Sequence, residues 1–258
     1  MPLGASGPVN WLAMRSQFEE VWRKRFTERG RLFEDDAGIA GWTDTGLETR
    51  LRHFQRMWPG DTAGAHWLDV GCGAGSYTRY LLEQGVAPVG ADYSLPSVQK
   101  ARLRSDATLQ WLVADATRLP LKPGTMDGVM CFGVMQALSG PEKALSELVS
   151  ATRPGGQIWI DALNRGCLTT LIKRLMARLR RRPLNLRYDD PWALAALLEK
   201  LGAEQVRLYW IPILPGRLSR FQPWVESEPV HAILKHLPWL GALLSHAFLV
   251  SAKRGMES

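Results

Sequence analysis

The residues best placed to do chemistry are three acids, Asp69, Asp92 and Asp115, each at or near the end of a short apolar run, and the glycines Gly71, Gly73 and Gly75 that follow the first. The stretch from His66 to Asp92 reads HWLDVGCGAGSYTRYLLEQGVAPVGAD. Trp67 to Val70 is short enough for a buried strand, and Gly71-Cys72-Gly73-Ala74-Gly75-Ser76 is turn chemistry. A helical stretch follows with Tyr77, Tyr80, Leu81 and Leu82 apolar, and Gly85 stands where a helix C-cap glycine belongs. A second apolar run, Val86 to Ala91, ends at Asp92, which completes a strand–loop–helix–strand unit. Gly71 and Gly73 lack Cβ, so the backbone can turn sharply there and a ligand can approach it. The free N–H groups and dipole of the helix that the loop opens attract electron-rich groups. A carboxylate at the end of the next strand, Asp92, is placed to accept hydrogen bonds from both hydroxyls of a ribose. An adenosine-containing ligand lying across the strand ends is therefore expected. A dinucleotide fingerprint would carry Gly or Ala at its sixth position. Here that position is Ser76, and the third glycine, Gly75, comes one residue early. An acid inside the preceding strand, Asp69, offers a pyrophosphate nothing but suits a cationic amino-acid moiety.

The elements that must position these groups alternate. After Asp92, Pro96 to about Ser105 reads as a helix and Leu109 to Val113 as a strand that runs into Ala114-Asp115-Ala116. Met126 to Phe132 is a strand, Pro141 to Thr152 a helix with Ala144, Leu145, Leu148 and Val149 inward, and Gln157 to Asp161 a fifth strand. Strands alternating with helices predict an α/β fold with a doubly wound, mostly parallel sheet. Ahead of it, residues 1–9 read as a loose tail, and Asn10 to about Arg29 as a helix carrying Trp11, Leu12, Phe18, Val21, Trp22 and Phe26. A further helix starts near Thr45, where Thr45 and Glu48 match a capping box, and presents Leu47, Leu51, Phe54 and Trp58 before Pro59-Gly60. Beyond the core, Trp192 to Lys200 is a helix, Ala203 to Ile213 a strand, Pro215 to Ser245 a stretch rich in Pro and Trp, and Ala247 to Ala252 the last strand.

LDVGCGAGSY resembles motif I of the class I S-adenosylmethionine (SAM) methyltransferases. VADATRLPLKPGTMDGVMCFGVMQAL is similar to the motifs that follow in that family, and ATRPGGQIWIDALN to a later one. The likeness covers roughly residues 65–165 and is nearest to the small-molecule group that includes quinone-type C-methyltransferases. It implies a Rossmann-like, seven-stranded sheet whose final strand runs antiparallel, with SAM as cofactor and S-adenosylhomocysteine as product. It implies that residues 1–60 form an N-terminal helical cap over the SAM pocket, with Trp42 and Arg50 as first choices for closing it. Residues 61–258 would form the SAM-binding domain, with insertions at about 165–190 and 214–245. It assigns the methionine end to Asp69, with the loop residues Gly71, Cys72 and Gly73 beside it. The ribose goes to Asp92, the adenine amine to Asp115 with the Ala116 N–H, and the methionine side to Cys131, Phe132 and Gly133. This chain departs from the pattern at Gln136, where many relatives have His. It departs again at Tyr93, where an aliphatic residue is common and a ring would stack on adenine.

Methyl transfer from a sulfonium is an in-line displacement, so the main tasks are near-attack geometry and exclusion of water. A base would help an oxygen or carbon acceptor; the candidates are His53, Gln136 and His231, set against packing or surface roles. His66 precedes the first strand and reads as structural. The 258 residues allow one large domain or a domain with an appended piece, and 46% hydrophobic residues place the chain far from disorder. Lys plus Arg number 32 against 25 acids, a net charge of +7 that favours an anionic neighbour. Cys72, Cys131 and Cys167 fit no metal or disulfide framework, so no metal is expected and a reducing cytoplasm is. The N-terminus lacks the charged-then-apolar order of a signal peptide, and no apolar run is long enough to span a membrane. Nucleic acid is disfavoured: there is no N-P-P-Y-type motif, and the charge sits on an amphipathic helix rather than among sheet aromatics. An RNA methyltransferase and a non-catalytic SAM-binding protein stand as alternatives to an enzyme acting on a small-molecule or lipid-like acceptor. An NAD oxidoreductase has the wrong glycine spacing. The basic helix is Gly166 to Arg182. Leu168, Leu171, Ile172, Leu175, Met176 and Leu179 form one face, Lys173, Arg174, Arg178, Arg180, Arg181 and Arg182 carry the charge, and Pro183 ends it. It reads either as a helix packed on its own sheet or as an interfacial helix making peripheral contact with the inner face of a membrane. In the second case Trp210, Trp224 and Trp239 would supply rings to the interface.

Overall fold

A computed structural model describes residues 11–181, 184–214 and 216–256, with side-chain surroundings from Gln17 onward except at residue 216. The tail at 1–9, Asn10, Arg182, Pro183 and Pro215 lie outside the described residues, as do the side chains of Trp11 and Leu12.

The alternating apolar runs build strands β1 (His66–Val70), β2 (Ala87–Asp92), β3 (Gln110–Val113), β4 (Met126–Cys131), β5 (Thr152–Leu163), β6 (Ala203–Ile211) and β7 (Ala247–Arg254). They form one seven-stranded sheet in the order β3-β2-β1-β4-β5-β7-β6. Neighbours from β3 through β5 pair in parallel, and β7 runs antiparallel to both β5 and β6. The chain steps outward from β1 to β2 and β3, then crosses back to β4 on the other side of β1. That reversal opens a crevice at the C-terminal ends of β1 and β4, where ligands of such sheets bind. His66 is the first residue of β1 rather than its predecessor.

Both faces of the sheet are covered. Leu68, Val70, Val129, Cys131, Ile158 and Ile160 point to one side, against Leu145 and Leu148 of α6 (Glu142–Ala151). Trp67, Met130 and Trp159 point to the other, against Phe54, Trp58, Tyr77 and Leu81. The alternation is the two-residue strand period, and burial on both faces explains why the central strands read as unbroken apolar runs. Gly128 is required here, because a Cβ would fall 2.2 Å from the Trp67 ring.

Among the described residues three helices, not two, precede β1: α1 (Trp11–Leu32), α2 (Asp36–Ala40) and α3 (Asp44–Met57). The short α2 lies inside the segment read as a connection. The expected capping box at Thr45 and Glu48 does not form. Thr43 is the N-cap of α3, and its hydroxyl accepts from the Gly46 N–H at 3.1 Å, so the threonine two residues earlier in the sequence satisfies the orphan donor. Val21, read as part of the apolar face of α1, is exposed. Phe54 anchors α3, with its ring 5.4 Å from both Phe132 and Trp159 and 5.6 Å from Trp58.

Helices α4 (Ser76–Glu83) and α5 (Leu95–Leu103) follow β1 and β2. Helix α8 (Pro191–Lys200) leads into β6, and α9 (Gln222–Val225), α10 (Glu228–His236) and α11 (Pro238–Leu244) fold within the expected insertion before β7. Trp210 is a core residue, buried against Gly241 and 5.8 Å from the Trp192 ring, so it offers no ring to an external interface. The basic segment forms α7 (Leu168–Leu179), and it is not packed on the sheet through its apolar face: all six leucine, isoleucine and methionine side chains of that face are exposed.

Candidate active site

The loop after β1 turns on glycines that no other residue replaces without strain. Gly71 has φ 78° and a Cβ there would fall 2.2 Å from Val134. Gly75, at φ 84°, is the N-cap of α4, and its Cβ would meet Trp111 at 2.4 Å. The loop runs along the β1–β4 crevice, and α1 and α2 roof it, which leaves a cavity between them. Gly71, Cys72, Gly73, Asp92, Tyr93, Asp115, Ala116 and Phe132 all line this cavity. Asp69 and Cys131 do not; they stand in β1 and β4, one residue behind wall residues Val70 and Phe132.

The Asp92 carboxylate accepts from the Gly73 N–H at 3.0 Å and from the Ser94 N–H at 2.8 Å. Burial raises its pKa, and those two donors pull against the rise. Each oxygen takes one of these bonds and retains capacity for another, so the pair could accept from both hydroxyls of a diol. Asp115 accepts from the backbone and hydroxyl of Thr117 at 2.9 and 2.8 Å, and its other oxygen pairs with Arg23 of α1. The Tyr93 hydroxyl donates to the Trp22 carbonyl at 3.1 Å, which ties the ring to the roof. Asp69 is fully enclosed and accepts from the Thr78 hydroxyl at 2.6 Å. Burial lifts its pKa to about 7, against the pull of Thr78. Burial also pushes the Cys72 and Cys131 thiols well up, so neither is a thiolate nucleophile at neutral pH.

A second cavity shares Trp22, Phe26, Ala40 and Trp42 with the first. Its remaining walls mix the apolar Leu163, Leu184, Leu186 and Ile213 with the polar Arg25, Thr43, Asn185 and Tyr188. Arg50, Gln136 and His246 also line it. Arg50 is buried, donates to Asp161 at 2.9 Å and to the Gly46 carbonyl at 3.0 Å, and lies 4.3 Å over the Trp42 ring. Asp161 also accepts from the Gly133 N–H at 2.6 Å, so the Arg50 pair fixes Trp42 and the turn after β4 together. Gln136 donates to the Gly133 carbonyl at 2.8 Å, while its Oε1 is buried without a partner among the described residues. An unmet buried acceptor is costly and marks where a ligand donor would fit. His246 lines the same cavity, and burial, with Arg50 and Lys173 nearby, lowers its pKa to about 4.

The other sequence candidates for a base lie elsewhere. His53 is buried on α3, its Nδ1 2.8 Å from the Thr49 carbonyl, and burial lowers its pKa to about 4. Its ring is 4.9 Å from that of His231. Neither lines either of these two cavities; His231 lines a third, beside Arg56 and Glu228. The sequence reading passed over Asp161 and His246. Asp161, an acid closing an apolar run as Asp69 and Asp92 do, carried a legible signal. His246 carried none, because its place depends on β7 returning between β5 and β6.

The roof is pinned along its rim. Asp36 of α2 accepts from Arg79 at 2.6 Å and from the Ser76 hydroxyl, and Glu34 pairs with Lys100 and Arg104.

A family described as a methyltransferase domain matches residues 68–160. The chain is 27% identical to malonyl-[acyl-carrier protein] O-methyltransferase of Pseudescherichia vulneris over 66% of its length and 78% of that protein's. It is 29% identical to 2-phytyl-1,4-naphtoquinone methyltransferase of Thermosynechococcus vestitus, over 73% of this chain and 95% of the other. Two further relatives reach 36% identity, but over only 41% and 42% of their lengths. In fold, the chain superposes on a Haemonchus contortus phosphoethanolamine N-methyltransferase in complex with phosphomonomethylethanolamine and S-adenosylhomocysteine. The TM-score is 0.59 at 21% identity, covering 81% of this chain and 53% of that one.

Proposed function

We propose, on the premise that this chain belongs to the SAM-dependent methyltransferases of the small-molecule type, that its acceptor is an apolar, lipid-like molecule held in the cavity behind Trp42. The observation that carries the reading is the shared wall: Trp22, Phe26, Ala40 and Trp42 belong to both cavities, so a donor in one and an acceptor in the other would meet there. A relative named for a naphtoquinone fits the same acceptor class.

SAM supplies an electrophilic methyl group on a sulfonium. The residues of this chain would hold and orient it. Asp92 would take the ribose hydroxyls, Asp115 and the Ala116 N–H the adenine edge, and Tyr93 the adenine face. The loop Gly71-Cys72-Gly73 would pass close to the ribose and the methionine end, and Phe132 would close its methyl side. Asp69, behind the loop, would add negative potential beneath the amino-acid moiety. Because Arg23 now pairs with Asp115, binding of an adenine amine would share or displace that guanidinium.

On the acceptor side, Gln136 Oε1 would accept a hydrogen bond from an acceptor hydroxyl. His246, which lines this cavity and is kept neutral by burial, would hydrogen-bond an acceptor oxygen rather than serve as a strong base. Arg50 and Asp161 would position Trp42 rather than react.

Titration calorimetry tests the donor half. Losing a charged acceptor costs about 1.5–3 kcal/mol, so Asp92→Ala should weaken SAM roughly ten- to hundredfold while the fold persists. Equal affinity in the variant would overturn the assignment. Isotopically labelled SAM incubated with separated lipid and water-soluble extracts tests the acceptor half; label entering only the aqueous pool would sink the lipid-like reading.

A further inference from the structure

Helix α7 turns Thr170 and Ala177 inward and leaves its apolar stripe exposed. At about 3.6 residues per turn, Leu168, Leu171, Ile172, Leu175, Met176 and Leu179 form one stripe. Thr170 and Ala177 fall on the opposite side. The structure buries Thr170 and half-buries Ala177, and leaves every member of the stripe open, with Leu175 58% and Leu179 70% exposed. Helices of globular proteins are normally mounted the other way round. Lys173, Arg174, Arg178, Arg180 and Arg181 flank the stripe, and among the described residues none has a carboxylate partner. The helix itself contains no acid.

We infer that α7 is a docking surface for an anionic phospholipid bilayer. The exposed stripe supplies the apolar face that sinks to the headgroup–acyl boundary, and the unpaired cations meet the phosphates on either side. Charge complementarity singles out this occupant. A second copy of the chain seated on the same face would bring two unpaired basic helices together, and like charges across a two-fold contact oppose it. A polyanion such as RNA would satisfy the cations but leave the leucine stripe in water. Two exposed tryptophans in the 214–245 region, Trp224 at 70% and Trp239 at 63%, are the ring type that settles at a membrane interface.

The chain that follows α7 returns to the acceptor cavity, where Leu184 and Leu186 form part of the wall. A bilayer under α7 would thus lie near the wall of that cavity, and a lipid-soluble acceptor could pass from one to the other. This last use rests on the methyltransferase reading; the docking itself does not.

Flotation with vesicles of mixed phosphatidylglycerol and phosphatidylcholine, and with phosphatidylcholine alone, decides the matter. The wild-type protein should float with the anionic vesicles at low salt, lose binding as salt rises, and stay behind with the neutral ones. Arg174→Gln/Arg178→Gln/Arg180→Gln should lower partitioning by about a hundredfold, and Leu175→Asp should lower it by at least about tenfold. SAM affinity, measured by calorimetry on the same preparations, should be unchanged in all of them. A wild-type protein that stays behind with both vesicle types overturns the proposal, as does Leu175→Asp floating like wild type. A wild-type dimer that Leu175→Asp converts to monomer in sedimentation overturns it in favour of self-association. Flotation without SAM binding would defeat the methyltransferase reading and leave the docking standing.

Discussion

Helices α3 and α7 look alike in sequence, yet the structure uses them in opposite ways. Both are short, arginine-rich and amphipathic, and both lie outside the sheet. In α3 the apolar side is buried on the sheet through Phe54, and Arg50, Arg52 and Arg56 each end on a carboxylate, at Asp161, Glu226 and Glu228. In α7 the apolar side faces out and the cations have no such partners among the described residues. The lesson is that an amphipathic pattern says a helix needs an apolar partner without saying that its own domain supplies one. The distribution of acids is the better guide. Helix α3 meets Glu226, which follows α9, and Glu228, at the start of α10, whereas α7 meets none among the described residues.

The largest expected effect separates the two helices by stability. Phe54→Ala should destabilise the fold by about 3–5 kcal/mol, since it empties the centre of an aromatic cluster. Leu175→Ala should stay within about 0.5 kcal/mol of wild type, as a surface change does. Urea unfolding of both variants measures this, and a comparable loss in each would erase the contrast.

A titration sharpens it further. His53 on α3 has its pKa depressed by burial from 6.5 to about 4. Between those values the unfolded chain binds the proton and the folded chain does not, so this group costs stability as pH falls from about 6.5 and the cost levels off near 4. The slope for one such group is about 1.4 kcal/mol per pH unit. His53→Asn should therefore lose less stability than wild type on going from pH 6.5 to 4.5, whatever its stability at pH 7. Parallel pH profiles for the two proteins would show that the His53 proton is not excluded by burial.

The smallest effect concerns the rim. Asp36 ties α2 to Ser76 and Arg79 at the start of α4, and partly exposed pairs contribute about 0–1 kcal/mol. Asp36→Asn should leave the unfolding midpoint nearly unchanged but speed SAM release a few-fold in stopped-flow displacement. An unchanged release rate would mean that the roof does not open along this rim.

Much of the site was legible in the chain because its chemistry is local. The Gly71–Gly75 turn, the acid ending β2 and the acid after β3 each occur at a strand end, and strand ends are marked by where apolar runs stop. Of the cofactor-site residues read from the sequence, those in the loop and at the strand ends line the cavity. Asp69 and Cys131, placed within strands, lie just behind the wall, because alternation along a strand turns neighbouring side chains to opposite faces. The capping residue of α3 was misplaced by two positions for a related reason: Thr43 and Thr45 are equivalent by type, and only the path of the chain out of α2 selects between them.

What the sequence determined by itself, then, is the order of strands and helices, the glycine turn and the acids around it, since each depends on residues adjacent in the chain. Tertiary structure alone decided that Arg50 would pair with Asp161, that His246 and Gln136 would share a cavity wall, that Trp210 would be buried and that α7 would face outward. Each of those depends on which distant segment arrives beside a residue. That is governed by the summed burial of the whole sheet, to which no single stretch of sequence is tied.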